Sequence, residues 1–246
     1  MSVPSIKAGT YTLQVSLNTN CALGTLLCKR EVVIDDGAYD KLAGEYAEAV
    51  KANKPGRISQ ARAKLLGTCF KRAIKPGEKV TANQARTSPG KCPSQSKFLA
   101  TFVWIPKADC LNVTADVVDA NYAVDAPKDE PYKASCVEFY VSPAGVGDTV
   151  NQFFVVPDGD NGQARVTAAR TSADGVKATW KRTAKGYALD VSIPWADIKG
   201  YEKGWNAMPV EAMVNCRADG ERAQLFMNRF GEPWKAARTY ALLRAK

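Results

Sequence analysis

From residue 98 onward the sequence is a series of short runs in which apolar and polar residues alternate, with no helical period between them. The runs are FLATFVW (98–104), LNVTADVVD (111–119), CVEFYV (136–141), NQFFVV (151–156), QARVTAAR (163–170), VKATWKR (176–182), YALDVSI (187–193), PVEAMVN (209–215), AQLFMN (223–228) and TYALL (239–243). Turn formers such as PDGDNG (157–162) and SADG (172–175) separate them. A strand of period two presents one apolar face, and that face must meet a second sheet or a helix. With no helices interspersed, the expected fold is mostly β, an antiparallel, jelly-roll-like β-sandwich over residues 97–246. Alternation places Leu111, Val113, Ala115 and Val117 on one face, and Tyr187, Leu189, Val191 and Ile193 likewise.

The first 96 residues read differently. Tyr11–Leu17 and Leu26–Ile34 have the pattern of half-buried strands. Asp35 and Asp36 then stand as N-caps of a helix whose apolar face is Tyr39, Leu42, Ala43, Tyr46, Ala49 and Val50. Asn53–Gly56 breaks it, and a second helix follows with Ile58, Ala61, Leu65 and Cys69 on one face. Residues 1–96 are therefore expected to form a strand-plus-helical-hairpin segment. The Pro-, Gly- and Ser-rich stretch 74–96 closes it, as a long connection or as irregular early strands.

Composition removes several function classes. Of the net charge of +9, all but one unit sits in residues 1–96, but the Lys and Arg there are spread singly, with no arginine-rich tract or interleaved aromatics. A solvated surface is expected there, with no nucleic-acid partner. No apolar run is long enough to span a bilayer. The chain has no histidine and no CxxC pair, which excludes the usual zinc frameworks and any imidazole base. Seven cysteines are an odd number, so at least one thiol is free or pairs between chains; Cys21 and Cys28 flank a loop and can close a hairpin. MSVPSIKAG lacks the charged and apolar regions of a signal peptide, as expected of a cytoplasmic protein or of a mature or excised segment.

Aromatic residues in polar, turn-forming sequence are the candidates for binding. Trp234 follows Gly231, Glu232 and Pro233 in RFGEPWKAARTYALL; Tyr132 lies in KDEPYKAS; Trp205 lies in the loop EKGWNAM. Trp104 and Trp180 sit in strands and Trp195 follows Pro194, where packing is expected. In the turn PDGDNG, Asp158 and Asp160 place oxygens close together, the one candidate site for a metal, as calcium. Otherwise no cofactor is expected. Glu138 paired with Asp190 or Glu211 is the one carboxylate arrangement that a glycoside hydrolase could use.

In chain order, KFLATFVW, DCLNVTADVVDANY, EPYKASCVEFYVSP, NQFFVVPDG, GYALDVSIPWADI, PVEAMVNCRAD and FGEPWKAARTYALL resemble the family-nine carbohydrate-binding modules and the related DOMON-like sandwiches. The Y…IPW segment and the VEFY strand are the most specific matches. The resemblance implies non-catalytic binding of a polysaccharide or oligosaccharide by an aromatic clasp of Tyr132 and Trp234, with Glu138 and Gln152 orienting hydroxyls; Trp205 is a further candidate contact from its loop position alone. Rigid aromatic faces suit sugar C–H surfaces. It also implies a secreted, periplasmic or cell-surface setting, accessory to a larger glycan-processing protein whose neighbouring domains are the other partners. The chain departs from the pattern at Phe154, where the family commonly has Arg, and at Ser135-Cys136 and Cys216, where carboxylates are lost. Those departures define the alternative, a structural or protein-interaction sandwich without its sugar site. A haem-carrying DOMON domain would need Met or Lys in place of histidine.

Overall fold

The computed structural model describes residues 9–17, 25–34, 37–82, 84–87, 99–120, 122–125, 127–158, 162–218, 221–228 and 231–244. The chain divides into two compact units, Met1–Ala61 and Arg62–Lys246. The first holds an antiparallel pair, β1 (Gly9–Leu17) and β2 (Thr25–Ile34), with a bulge between Val15 and Ser16. Helix α1 (Ala38–Lys51) follows and buries Tyr39, Leu42 and Ala49. Val50, expected on that face, is exposed. The helix opens at Gly37, whose φ of 78° is left-handed and whose carbonyl accepts from Lys41 N–H. Glycine reaches that φ without a Cβ clash. The proposed caps Asp35 and Asp36 lie outside the described residues, as do Cys21, Cys92 and Asp160.

Helix α2 (Pro55–Cys69) buries Arg62, Leu65 and Leu66, so its covered face is rotated from the expected Ile58–Ala61–Leu65–Cys69 line. On the rotated face Arg62 turns inward to donate to the carbonyls of Pro143 and Ala207. Leu66 and Phe70 press on Gly145, where an added Cβ would lie 2.9 Å from Leu66. Among the described residues no helix is long and apolar enough to cross a membrane.

Beyond α2 the chain is a two-sheet sandwich. Its strands are β3 (Ala73–Ile74), β4 (Lys79–Thr81), β5 (Gln84–Thr87), β6 (Leu99–Pro106), β7 (Cys110–Val118), β8 (Cys136–Val141) and β9 (Asn151–Val156). They continue as β10 (Arg165–Ala169), β11 (Lys177–Thr183), β12 (Gly186–Pro194), β13 (Ala207–Ala218), β14 (Glu221–Phe226) and β15 (Ala241–Arg244). The five-stranded sheet runs β11-β12-β7-β6-β4, and the eight-stranded sheet runs β10-β9-β8-β13-β14-β5, with β15 on β13 and β3 parallel to β15. Every strand run read from the sequence beyond residue 98 forms. The stretch 74–96 is more than a connection, since β4 and β5 each cover an otherwise open edge, on β6 and β14. Unpaired edges expose N–H and C=O groups, so even short strands are held there. The sandwich accordingly begins well before residue 97.

Between the sheets the alternation holds. Leu111, Val113, Ala115 and Val117 meet Tyr187, Leu189, Val191 and Ile193 in one core with Phe139, Phe153, Val155, Val210 and Val214. Phe139 is the centre of it, edge-on to Phe102 at 6.3 Å and to Trp104 at 5.7 Å between ring centroids. Trp104 is fully buried and its indole N–H donates to Met227 Sδ. Phe139→Ala is expected to cost about 3–5 kcal/mol in urea unfolding, the usual range for a deleted core aromatic. Burial pushes the Cys216 thiol far above its ordinary pKa, with Asp119 adding to the effect. Because the thiolate is the nucleophile, Cys216 should resist iodoacetamide in the native chain and react after denaturation, as read by peptide mass spectrometry.

Candidate functional site

The middle of the eight-stranded sheet is buried on both faces. All six residues of β8, and all six of β9, are buried. The inward set is Val137, Phe139, Val141, Phe153 and Val155. The opposite parity carries Cys136, Glu138 and Tyr140 on β8, Gln152, Phe154 and Val156 on β9, Glu211, Met213 and Asn215 on β13, and Gln224 and Phe226 on β14. Register aligns them: Glu138 stands opposite Phe154 and Met213, Tyr140 opposite Gln152, and Asn215 opposite Gln224.

A polar chain runs across this outer face. Gln152 Nε2 donates to Glu138 Oε2 at 2.6 Å and reaches Tyr140 Oη at 3.2 Å. The Tyr140 hydroxyl donates to the same carboxylate oxygen. Asn215 Nδ2 donates to Glu138 Oε1, and Gln224 Nε2 donates to Asn215 Oδ1 at 3.2 Å. Four strands thus contribute to one network, joined by diagonal contacts within reach of neighbouring strands. Burial, then the facing Glu138 carboxylate, raises the Tyr140 pKa well above its ordinary value, so its hydroxyl keeps the proton it donates. Glu138 is only 2% exposed, whereas Gln152 and Gln224 are each 9% exposed and form the outer limits of the network.

Two segments border this face. The 3-10 turn Pro131–Lys133 leads into β8, and Tyr132 there packs against Ala134, Cys136, Phe154 and Val156. Its hydroxyl donates to Glu130 Oε1 at 2.9 Å, and bonds from Lys133 and Tyr132 draw the Glu130 pKa below its ordinary value. At the other end, residues 231–240 form a strap. Tyr240 lies 6.1 Å from Tyr140 between centroids and donates to Pro233 O at 2.6 Å. Glu211 Oε1 accepts from Asn228 N–H, and Asn228 Nδ2 donates to Thr239 O, tying the strap to β13. Trp234 is half-buried on this strap. Lys235 beside it packs its carbonyl on Gly147, in the connection from β8 to β9, where an added Cβ would come within 2.8 Å. Tyr132 therefore stands before the first residue of β8 and the Trp234 strap reaches its far end, with the network between them. Six residues of strand span roughly 20 Å.

The remaining sequence candidates lie elsewhere. Trp205 sits in the loop just before β13, with the Arg62 guanidinium 3.6 Å above its ring. Asp158 is held by Arg165, whose Nε and Nη2 both donate to Oδ2, at 2.9 and 2.8 Å. Among the described residues no cluster of acidic, cysteine or histidine side chains is placed to hold a metal ion. Asp190 is exposed on the five-stranded sheet, where it accepts from Asn112, so it does not share a face with Glu138. Asn215, Gln224 and Tyr140 were not singled out from the sequence. Their shared parity with Glu138 on buried strands is the only signal, and it becomes meaningful only once the register is known.

The comparison with family models decides what kind of sandwich this is. Residues 77–239, about two thirds of the chain, match the model for carbohydrate family 9 binding domain-like proteins. The chain belongs to that family. Its matched span takes in β4 and β5, in keeping with a sandwich that starts before residue 97. A carbohydrate binding module family 9 from Caldicellulosiruptor kristjanssonii in complex with glucose aligns over 71% of this chain and 96% of its own, at 15% identity and a TM-score of 0.57. The same organism's module in complex with cellotriose aligns over 70% and 92%, at 15% identity and 0.55. At that identity the likeness concerns the fold of this family 9 chain. No curated protein matches its sequence.

The network makes a stability prediction of its own. Glu138→Ala strands the Tyr140 hydroxyl and two amide donors, and each buried unpaired group costs about 1–3 kcal/mol. Glu138→Ala should thus lose more unfolding free energy in urea than Glu138→Gln, whose amide oxygen still accepts.

Proposed function

We propose that this family 9 chain binds a saccharide, without transforming it, on the outer face of β8, β9, β13 and β14. The observation that carries the reading is the Gln152–Glu138–Asn215–Gln224 chain of hydrogen bonds. It is a row of fixed donors and acceptors on a sheet face otherwise filled by Phe154, Met213 and Phe226. Sugar hydroxyls need convergent polar groups, and amides offer both donor and acceptor. Gln152 and Gln224, at the limits of the row, are the groups a ligand meets first. Tyr132 and Trp234 supply aromatic surface at its two ends, bordering a saccharide laid along β8. Glu138 acts here by polarising the amides rather than as an acid or base, because both its oxygens already accept hydrogen bonds. The solved family 9 modules bound to glucose and cellotriose make a β-glucan oligomer the first ligand to try. Such binding fits an extracellular or cell-surface role beside glycan-processing domains.

A specific observation supports a second reading. Glu138 is 2% exposed, and Phe154 and Tyr132 pack together over the start of β8. That degree of cover suits a sandwich that has given up its sugar site and uses the network for packing alone. Calorimetric titration with cellotriose and a panel of other oligosaccharides separates the two. Trp234→Ala is expected to weaken binding at least tenfold with an unchanged melting temperature. A folded wild-type chain that binds nothing on the panel selects the second reading.

A further inference from the structure

A second aromatic surface lies away from the network. A cavity of about 320 Å3 opens between the β6–β7 turn, the loop after β12 and the start of β13, lined by Lys107, Trp195, Tyr201, Trp205, Asn206 and Met208 among others. That volume is at the lower end of the roughly 300–1,000 Å3 typical of small-ligand pockets. Neither Tyr132, Trp234 nor Glu138 lines it. Glu138 stands opposite Met213, six residues along β13 from Ala207, about 20 Å at strand spacing.

Three rings in this cavity are fixed against one another. Trp195 stacks on Tyr201 with centroids 4.3 Å apart and planes 12° apart, and Tyr201 meets Trp205 edge-on at 6.5 Å. The Trp195 indole N–H donates to Lys107 O at 3.0 Å. Trp205 is held from one side by Arg62, itself 9% exposed and anchored through Nε to Pro143 O at 3.0 Å and through Nη2 to Ala207 O. A buried arginine committed to two carbonyls is an expensive support for a ring that serves packing alone. All three rings are nevertheless only half-buried. Beside them the exposed side chains of Lys107 and Asn206 bring an ammonium and an amide to the rim.

The geometry points to a second saccharide site, one that takes a single pyranose residue against Trp205 and Tyr201. The rings offer flat apolar surface with little rotamer freedom left to lose, which suits the C–H face of a pyranose. Asn206 both donates and accepts toward ring hydroxyls, and Lys107 donates to hydroxyls or to the carboxylate of a uronic acid. A linear alditol has the hydroxyls without the flat face and is excluded by the same logic. The site goes beyond the proposed network site and does not depend on it.

The five tryptophans make both sites visible in one experiment, since each indole N–H gives its own NMR signal, assignable through Trp→Phe variants. The full chain is titrated with cellotriose, with trigalacturonate and with sorbitol. The Trp195 and Trp205 signals should shift saturably with at least one of the two oligosaccharides, and not with sorbitol. The shifts should survive Trp234→Ala and weaken at least tenfold in Trp205→Ala. Should that variant misfold, Asn206→Ala, at an exposed position, should weaken the same shifts. A response confined to Trp234 overturns the second site and leaves the network site standing. A response confined to Trp195 and Trp205 does the reverse. Equal shifts with sorbitol, or silence from Trp195 and Trp205 with both oligosaccharides, overturn the second site.

Discussion

A carboxylate 2% exposed in the middle of a β-sheet must be supplied with hydrogen bonds, because an unpaired buried charge costs several kcal/mol. Glu138 obtains them from its own strand through Tyr140, from β9 through Gln152 and from β13 through Asn215. That requirement fixes much else. The three donors reach one carboxylate only if β8, β9 and β13 keep their register, and a slip of one residue would turn all of them into the apolar core. The polar network and the alternating core thus enforce the same strand alignment from opposite faces.

Cover for the outer face is provided by chain that is not itself strand. Asn228 links three elements, donating to Glu211 on β13 and to Thr239 on the strap, and accepting from Arg72 just after α2. Tyr240 closes the strap on itself through Pro233 and sets its ring beside Tyr140. Trp234 is carried on a short, tied loop, and Tyr132 on a turn whose hydroxyl and carboxylate are paired. Both aromatics are therefore held by local bonds, which limits the ordering entropy a ligand contact would cost.

The aromatic cavity near β13 uses a different device for the same end. There a guanidinium replaces the hydrogen-bonded strap: Arg62 stacks on Trp205 while its nitrogens bind two carbonyls from separate segments. An apolar residue at that position of α2 could pack on the ring but could not reach either carbonyl. The rotated face of α2 buries this side chain together with Leu66, which packs on Gly145.

Period-two alternation was sufficient to read the sandwich, its inward residues and nearly every strand, because burial of one face is a local property of a strand. The short strands β3 to β5 were not distinguishable from connection, since two to four residues carry too little pattern and form only where an edge awaits them. Glu138, Gln152, Tyr132 and Trp234 stood out through family motifs, but Asn215, Gln224 and Tyr140 did not. Their role depends on which strand lies beside which, and β8 and β13 are some seventy residues apart. The sequence by itself determined which face of each strand is apolar. Only the tertiary structure decided that the other face of β8 is buried too, because that depends on neighbouring strands and on a strap, residues 231–240, that comes from distant chain.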